Sequence, residues 1–158
     1  MLREDGIVMD DGTTTRISEN HYHMTTTTAQ AANVLSHLEY YLQLVWPELN
    51  VNVVSSTEQW AGAAIAGPKS RDVLQRLFPD LDVSKEGLPF MGYMEGSLFG
   101  INAKIFRISF SGELAYEVNV ESDNGNFMWE KIMEIGKEFN IQPSVSYTHL
   151  TLPTKRIV

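Results

Sequence analysis

The sequence predicts an α+β fold with largely antiparallel sheets and packed helices. Three observations carry that expectation. Strand-like and helix-like stretches interleave as strands, helix, strands, helix, strands, helix, without the strict alternation that a parallel sheet requires. Residues 90–120 hold three consecutive β-patterned runs joined by Gly96, Gly100, Ser111 and Gly112, which reads as a meander. Hydrophobic residues make up 43% of the 158 residues, enough to build a core and to exclude wholesale disorder.

The elements follow in chain order. Residues 7–9 and 13–17 flank Asp10-Asp11-Gly12, a turn signal of the Asp-Gly kind, and predict a hairpin or two tightly connected strands. His21 to Thr26 is a further strand. Thr27 with Gln30 three residues on forms a capping-box pattern that opens a helix. Val34, Leu35, Leu38, Tyr41, Leu42 and Val45 then recur at helical spacing until Pro47 stops the run. Val51, Val53 and Ser55 predict a strand, and Trp60 to Ala66 a second one of small and apolar residues, buried on both faces. Gly67-Pro68 turns the chain into a helix carrying Val73, Leu74 and Leu77, and residues 80–89 form a loop. The meander strands are 90–95, 101–110 and 115–120. Ser122 or Asp123 caps a last helix with Met128, Ile132, Ile135 and Phe139 on one face, ended by Asn140 and Pro143.

Composition narrows the function classes. The chain carries 20 acidic and 12 basic residues, a net charge of −8, which argues against nucleic acid as the main partner. With no cysteine there is no disulfide framework, thiolate zinc site or Cys nucleophile. No apolar run approaches a membrane span, and no signal peptide opens the chain, so a cytoplasmic protein is expected. Met1 leads straight into Leu2-Arg3-Glu4-Asp5-Gly6, which reads as the middle of a strand and turn. The last stretch, 144–158 (SVSYTHLTLPTKRIV), holds no acidic residue and follows the helical pattern abruptly. It resembles translated sequencing-adaptor DNA; the other reading is a genuine β-rich terminus. The expected division is therefore a partial domain over 1–143 and a non-native tail over 144–158.

Most familiar chemistries fail on the residues. Gly62-Ala-Ala-Ile-Ala-Gly67 has Pro68 where a phosphate loop needs Lys, so a strand-turn-helix corner is expected. His21 and His23 share one strand face, but a closed metal site needs three or four ligands, and no metal is expected. Gly-x-Ser-x-Gly is absent, and Ser111 reads as a turn residue. The acidic candidates are stronger. Asp10 and Asp11 sit on a turn, either as turn residues or with one carboxylate aimed at a ligand's N–H donors. Glu117 lies between apolar neighbours in Tyr116-Glu-Val-Asn-Val120. It is either an outward, solvated side chain, or a buried one that a donor-bearing group must meet. Trp60, Tyr93 and Trp129 read as core. Pattern alone reaches an α+β domain with a small-molecule carboxylate site.

Four strings in this order and spacing carry more. Gly6-Ile-Val-Met-Asp-Asp11, Thr57-Glu-Gln-Trp60, Ile65-Ala-Gly-Pro-Lys-Ser70 and Arg107-Ile-Ser-Phe-Ser-Gly-Glu-Leu-Ala-Tyr-Glu-Val118 resemble the tetrahydrofolate-binding aminomethyltransferase (glycine-cleavage T-protein) family. Phe-Ser-Gly-Glu-Leu-Ala-Tyr-Glu and Thr-Glu-Gln-Trp are most similar to the folate domain found in α subunits of heterotetrameric sarcosine oxidases. The resemblance covers residues 1–143. It implies a three-lobed ring around folate, of which this chain holds parts of two lobes. It puts the catalytic, folate-orienting carboxylate on Asp11 and the pterin-binding carboxylate on Glu117, whose two oxygens accept the 2-amino and N3 donors. His23, Thr25 and Thr27 match further folate-lining positions, although His23 stands for a typical Tyr and Thr27 for a typical Asn. After Pro143, relatives continue into an Arg-bearing helix that helps bind folate, and this sequence has 144–158 there instead.

The implied function is capture of the one-carbon unit from oxidised sarcosine as 5,10-methylenetetrahydrofolate. Tetrahydrofolate is the implied cofactor, flavins and NAD sit elsewhere in the complex, and the other oxidase subunits are the partners. The isolated piece is expected to be inactive. The alternatives are a glycine-cleavage aminomethyltransferase, served by a lipoyl carrier, and a non-catalytic folate-binding module.

Overall fold

A computed structural model describes residues 1–144; the stretch 145–158, nearly all of the expected tail, lies outside the described residues. The chain divides into two compact units between Ala61 and Gly62. It is α+β with antiparallel pairing, as the sequence predicts. No helix is long and apolar enough to cross a membrane among the described residues.

The first unit pairs strand β1 (Thr14–Ser18) with β2 (His21–Met24) as an antiparallel hairpin, turning through Glu19 and Asn20. This corrects the predicted hairpin around Asp10-Asp11-Gly12: residues 7–9 contribute a single bridge, Val8 to Leu2. The reason lies at Gly12. A Cβ there would stand 1.9 Å from the Thr25 carbonyl oxygen, so Gly12 serves a close backbone approach and not a turn. A 3₁₀ turn (Thr28–Gln30) leads into helix α1 (Ala31–Tyr40), and a π-helical turn (Tyr41–Val45) closes the run before Pro47. The expected capping box does not form, because neither Thr27 nor Gln30 makes a side-chain cap bond.

Residues 51–55 join no strand among the described residues, against expectation. Alternating valines need a neighbouring backbone to pair with, and the Val51 N–H donates instead to Leu49 O at 3.0 Å. Val34 and Asp10 are the only buried residues in this unit, and Leu44, Trp46 and Val54 lie exposed.

The second unit carries a four-stranded sheet in the order β3-β6-β5-β4, built from Trp60–Ala66 (β3), Tyr93–Leu98 (β4), Ile101–Phe106 (β5) and Ala115–Glu121 (β6). The meander is present as predicted, with β4–β5 and β5–β6 antiparallel. Phe99 and Gly100, with φ of 50° and 93°, supply the paired positive dihedrals of a tight hairpin turn. β3 is an edge strand and is covered on one side only: Ile65 is buried while Gly62, Ala64 and Ala66 are exposed, which corrects the expected two-sided burial.

Helices α2 (Ser70–Leu77) and α3 (Gly125–Gly136) lie against one sheet face. Val73, Leu74 and Leu77 from α2 and Met128 and Ile132 from α3 are buried, together with Leu98, Ala103, Ile105, Tyr116, Val118 and Val120 from the strands. Each Val, Leu, Ile or Met among them contributes about 1.5–3 kcal/mol of burial. Ser70 Oγ donates to Leu114 O at 2.9 Å and so ties the start of α2 to the loop before β6. Trp129, expected in the core, is 44% exposed on the outer face of α3.

Candidate functional site

The first cluster is built where the chain leaves Met9 and enters β1. Asp10 is 7% exposed, and its Oδ2 accepts the Thr27 backbone N–H at 2.9 Å. The Thr27 hydroxyl and N–H, with the Asp11 N–H, hold the Asp10 carboxyl below its usual value, against the opposing effect of burial. Asp10 therefore does from a distant segment what the capping box was expected to do locally: it takes the N–H at the helix entry. Asp11, one residue on, is exposed. In an extended segment neighbouring side chains point to opposite sides, so burying Asp10 turns Asp11 outward.

Thr25 is committed to the same corner. Its N–H donates to Thr13 O at 2.8 Å, its Oγ1 accepts the Thr13 N–H at 3.1 Å, and the two hydroxyls pair at 2.9 Å. Thr27 is exposed beyond its N–H bond to Asp10. His23 is half-buried on β2, with its ring edge-on to Trp60 at 6.5 Å between centroids. The structure thus brings Asp10, Asp11, Gly12, Thr25 and Thr27 to one corner, with His23 two residues before Thr25.

Glu117 lies in the second unit. The strand register sets its surroundings: Glu117 opposes Phe106, which opposes Tyr93, and Asn119 opposes Lys104, which opposes Glu95. Directly opposed residues share a face, so these six side chains line the side of the sheet away from α2 and α3. Glu117 is half-buried there and accepts no hydrogen bond from a described residue. Desolvation raises its pKa. Of the two sequence readings, the structure supports neither the fully solvated side chain nor the core position: Glu117 is a half-buried, partly desolvated carboxylate opposite the buried Phe106. Such an acceptor suits a group offering adjacent N–H donors, and the pterin edge is one.

Tyr93, expected in the core, is half-buried on this face, and Glu95 and Lys104 beside it escape sequence reasoning. The Tyr93 hydroxyl donates to Glu95 Oε1, and burial is the main cause raising its pKa. Burial lowers the Lys104 ammonium, with Glu95 partly opposing. Arg107 donates to Ala115 O at 3.0 Å and sits over the Tyr116 ring, 5.3 Å from its centroid, closing the loop between β5 and β6. That loop carries Phe110, 96% exposed, and Ser111, an exposed loop residue as predicted. The only sequence signal for the shared polar face is the alternation of Lys104 with Ile105 and of Glu117 with Val118.

Comparison with known proteins identifies the family. Residues 1–152 match the family model described as the GCVT N-terminal domain. The chain is 51% identical over 145 residues to sarcosine oxidase subunit alpha of Rhizobium meliloti (strain 1021), and 50% identical over 144 residues to that of Corynebacterium sp. (strain P-1). Each match covers 90% of this chain and 15% of the relative, so the chain spans a small part of those proteins' length. The aminomethyltransferase of Deinococcus deserti is 29% identical over 131 residues, which is 83% of this chain and 35% of that protein. Four motif strings, the antiparallel α+β architecture and a family match over residues 1–152 converge: this chain belongs to the GCVT N-terminal domain family.

Proposed function

We propose that this chain is the tetrahydrofolate-binding domain of a sarcosine oxidase α subunit, and that the one-carbon unit of oxidised sarcosine is captured there as 5,10-methylenetetrahydrofolate. The 51% identity to a protein of that name, against 29% to an aminomethyltransferase, supports the oxidase reading. The observation that carries the folate assignment is Glu117, a half-buried carboxylate that accepts no hydrogen bond from a donor among the described residues. Tetrahydrofolate, when bound, supplies the nitrogen nucleophile and the carbon acceptor.

The chain's own residues then have distinct tasks. Glu117 accepts the 2-amino and N3 donors and fixes the pterin ring. Asp11 presents an exposed carboxylate that holds charge and proton position beside the reacting nitrogen. Asp10 keeps Asp11 in place by anchoring its segment to Thr27. Thr25 acts through its bonds to Thr13, which shape the same corner. His23 and Thr27 complete the lining. Flavins and NAD belong to other parts of the assembly on this reading, and the remaining oxidase subunits are its partners.

The test is tetrahydrofolate binding to the full-length polypeptide and to its Glu117→Gln variant. A carboxylate that becomes half donor loses one acceptor toward two N–H groups, so binding weakens about tenfold or more. An unchanged dissociation constant removes Glu117 from the site. The aminomethyltransferase relatives favour a second reading, in which the one-carbon unit arrives from a lipoyl carrier. Genes for flavin-binding and small subunits beside this one support the oxidase, and genes for a lipoyl carrier and a glycine decarboxylase support the alternative.

A further inference from the structure

The sheet face that carries Glu117 holds a second polar side chain with no role so far. Asn119 follows two residues later on β6, so it points to the same side, roughly 6.5 Å along the strand. It is half-buried, and its amide makes no hydrogen bond to a described residue. Its place is set by β3. A Cβ built on Gly62 would stand 2.5 Å from Asn119 Oδ1 and 3.4 Å from its Cγ, with no other atom of the amide within 4 Å. The bare backbone at Gly62 therefore makes room for the amide, whose oxygen faces β3 and whose NH2 points away from Gly62. A carboxylate that accepts and an NH2 that donates thus stand side by side, half-buried, and neither is bonded to a described residue. Partly desolvated polar groups with unused capacity are costly unless a partner arrives, and one partner can serve both.

We propose that Asn119 is a ligand-binding residue whose NH2 donates to the ring carbonyl next to the N–H donors held by Glu117, and that Gly62 positions it. This rests on the folate reading above and deepens it. In a 4-oxo pterin the 2-amino group, N3–H and O4 follow one another around the ring, in the order donor, donor, acceptor. Glu117 takes the first two. An ionised carboxylate has no proton to give, so O4 needs its donor from another side chain. The Asn119 NH2 supplies one from the next position on the same face of the same strand. Gly62 acts through Asn119: a side chain at 62 would occupy the space of the amide oxygen and turn the NH2 elsewhere. The residue at 119 then sets the choice at ring position 4, because a donor there favours a carbonyl and an acceptor favours an amino group.

The experiment measures binding of tetrahydrofolate and of its 4-amino counterpart tetrahydroaminopterin to the full-length polypeptide. The variants are Asn119→Asp, Asn119→Ala, Gly62→Ala, the Gly62→Ala/Asn119→Ala double and Glu117→Gln. Asn119→Asp keeps the shape and loses the donor. It is expected to weaken tetrahydrofolate about tenfold or more and not to weaken tetrahydroaminopterin, whose 4-amino group meets an acceptor. Asn119→Ala and Gly62→Ala are each expected to weaken tetrahydrofolate about five- to tenfold. In the double variant Gly62→Ala adds less than about twofold, because the amide it displaces is already gone. Gly62→Ala meets only the tip of a side chain, so it tests the position of the amide without a clash of backbones. Equal weakening of both ligands by Asn119→Asp overturns the carbonyl assignment. Additive losses in the double variant overturn the positioning role of Gly62. If Glu117→Gln weakens binding but no change at Asn119 affects either ligand, the inference fails and the folate reading stands. If Glu117→Gln changes nothing, the folate reading itself fails.

Discussion

Two adjacent aspartates with opposite environments show how far one residue shifts the chemistry. Asp10 is buried and bonded to Thr27, while Asp11 is exposed. Asp10→Ala removes the acceptor at the helix entry and is expected to cost about 0.5–2 kcal/mol of stability. Asp11→Ala is expected to stay within about 0.5 kcal/mol of the parent, as a surface substitution does, while abolishing one-carbon capture. Thermal melts alongside a capture assay check the pair. Were Asp11→Ala to capture normally and Asp10→Ala to remain fully stable, the two roles would be reversed or absent.

Glu117 gives the corresponding pH prediction. Its folded pKa is raised, so the folded state binds a proton more tightly than the unfolded one. Its stabilising effect is present below the unfolded pKa and is lost as pH rises through the folded value. Folate binding needs the ionised carboxylate and runs the other way, weakening as pH falls through that same folded pKa. Glu117→Gln is thus expected to flatten this part of the stability profile and to raise stability at neutral pH while weakening the ligand. Melting curves across pH, set beside binding at each pH, show whether the two trends oppose each other.

At the scale of elements, the helices and the meander were legible because their signals are local. The spacing of Val34, Leu38, Tyr41 and Leu42, and the turn residues between β4, β5 and β6, decide those structures from short windows. The misreadings share one cause. Asp10-Asp11-Gly12 carries a turn signal, but the backbone of Thr25 packs against Gly12. Val51 to Ser55 alternates like a strand yet has no ladder partner among the described residues. Both depend on what lies across from the segment, which no local window contains. Gly12→Ala tests the point: its Cβ would meet the Thr25 carbonyl oxygen at 1.9 Å, forcing the segments apart. A loss of about 1–3 kcal/mol is expected, with faster hydrogen exchange at the Thr25 and Thr27 amides. Unchanged exchange at both amides would mean that the corner does not depend on this approach.

For the molecule as a whole, the motif strings name two candidate carboxylates but cannot give their settings. Asp11 and Glu117 were both named from motif strings, whereas the burial of Asp10 and the polar face around Glu117 needed tertiary register. The relatives of highest quoted identity are more than six times the matched length, since the match covers 15% of them. The proposed activity is therefore tested in the full-length polypeptide together with the partner subunits that the proposal implies. The most direct measurement follows the label from [methyl-¹³C]sarcosine in the presence of tetrahydrofolate, in the parent and in Glu117→Gln. The label is expected in 5,10-methylenetetrahydrofolate with the parent and largely in free formaldehyde with the variant, at similar rates of sarcosine oxidation. Equal partitioning in both proteins, or formaldehyde alone from the parent, would contradict capture by this domain.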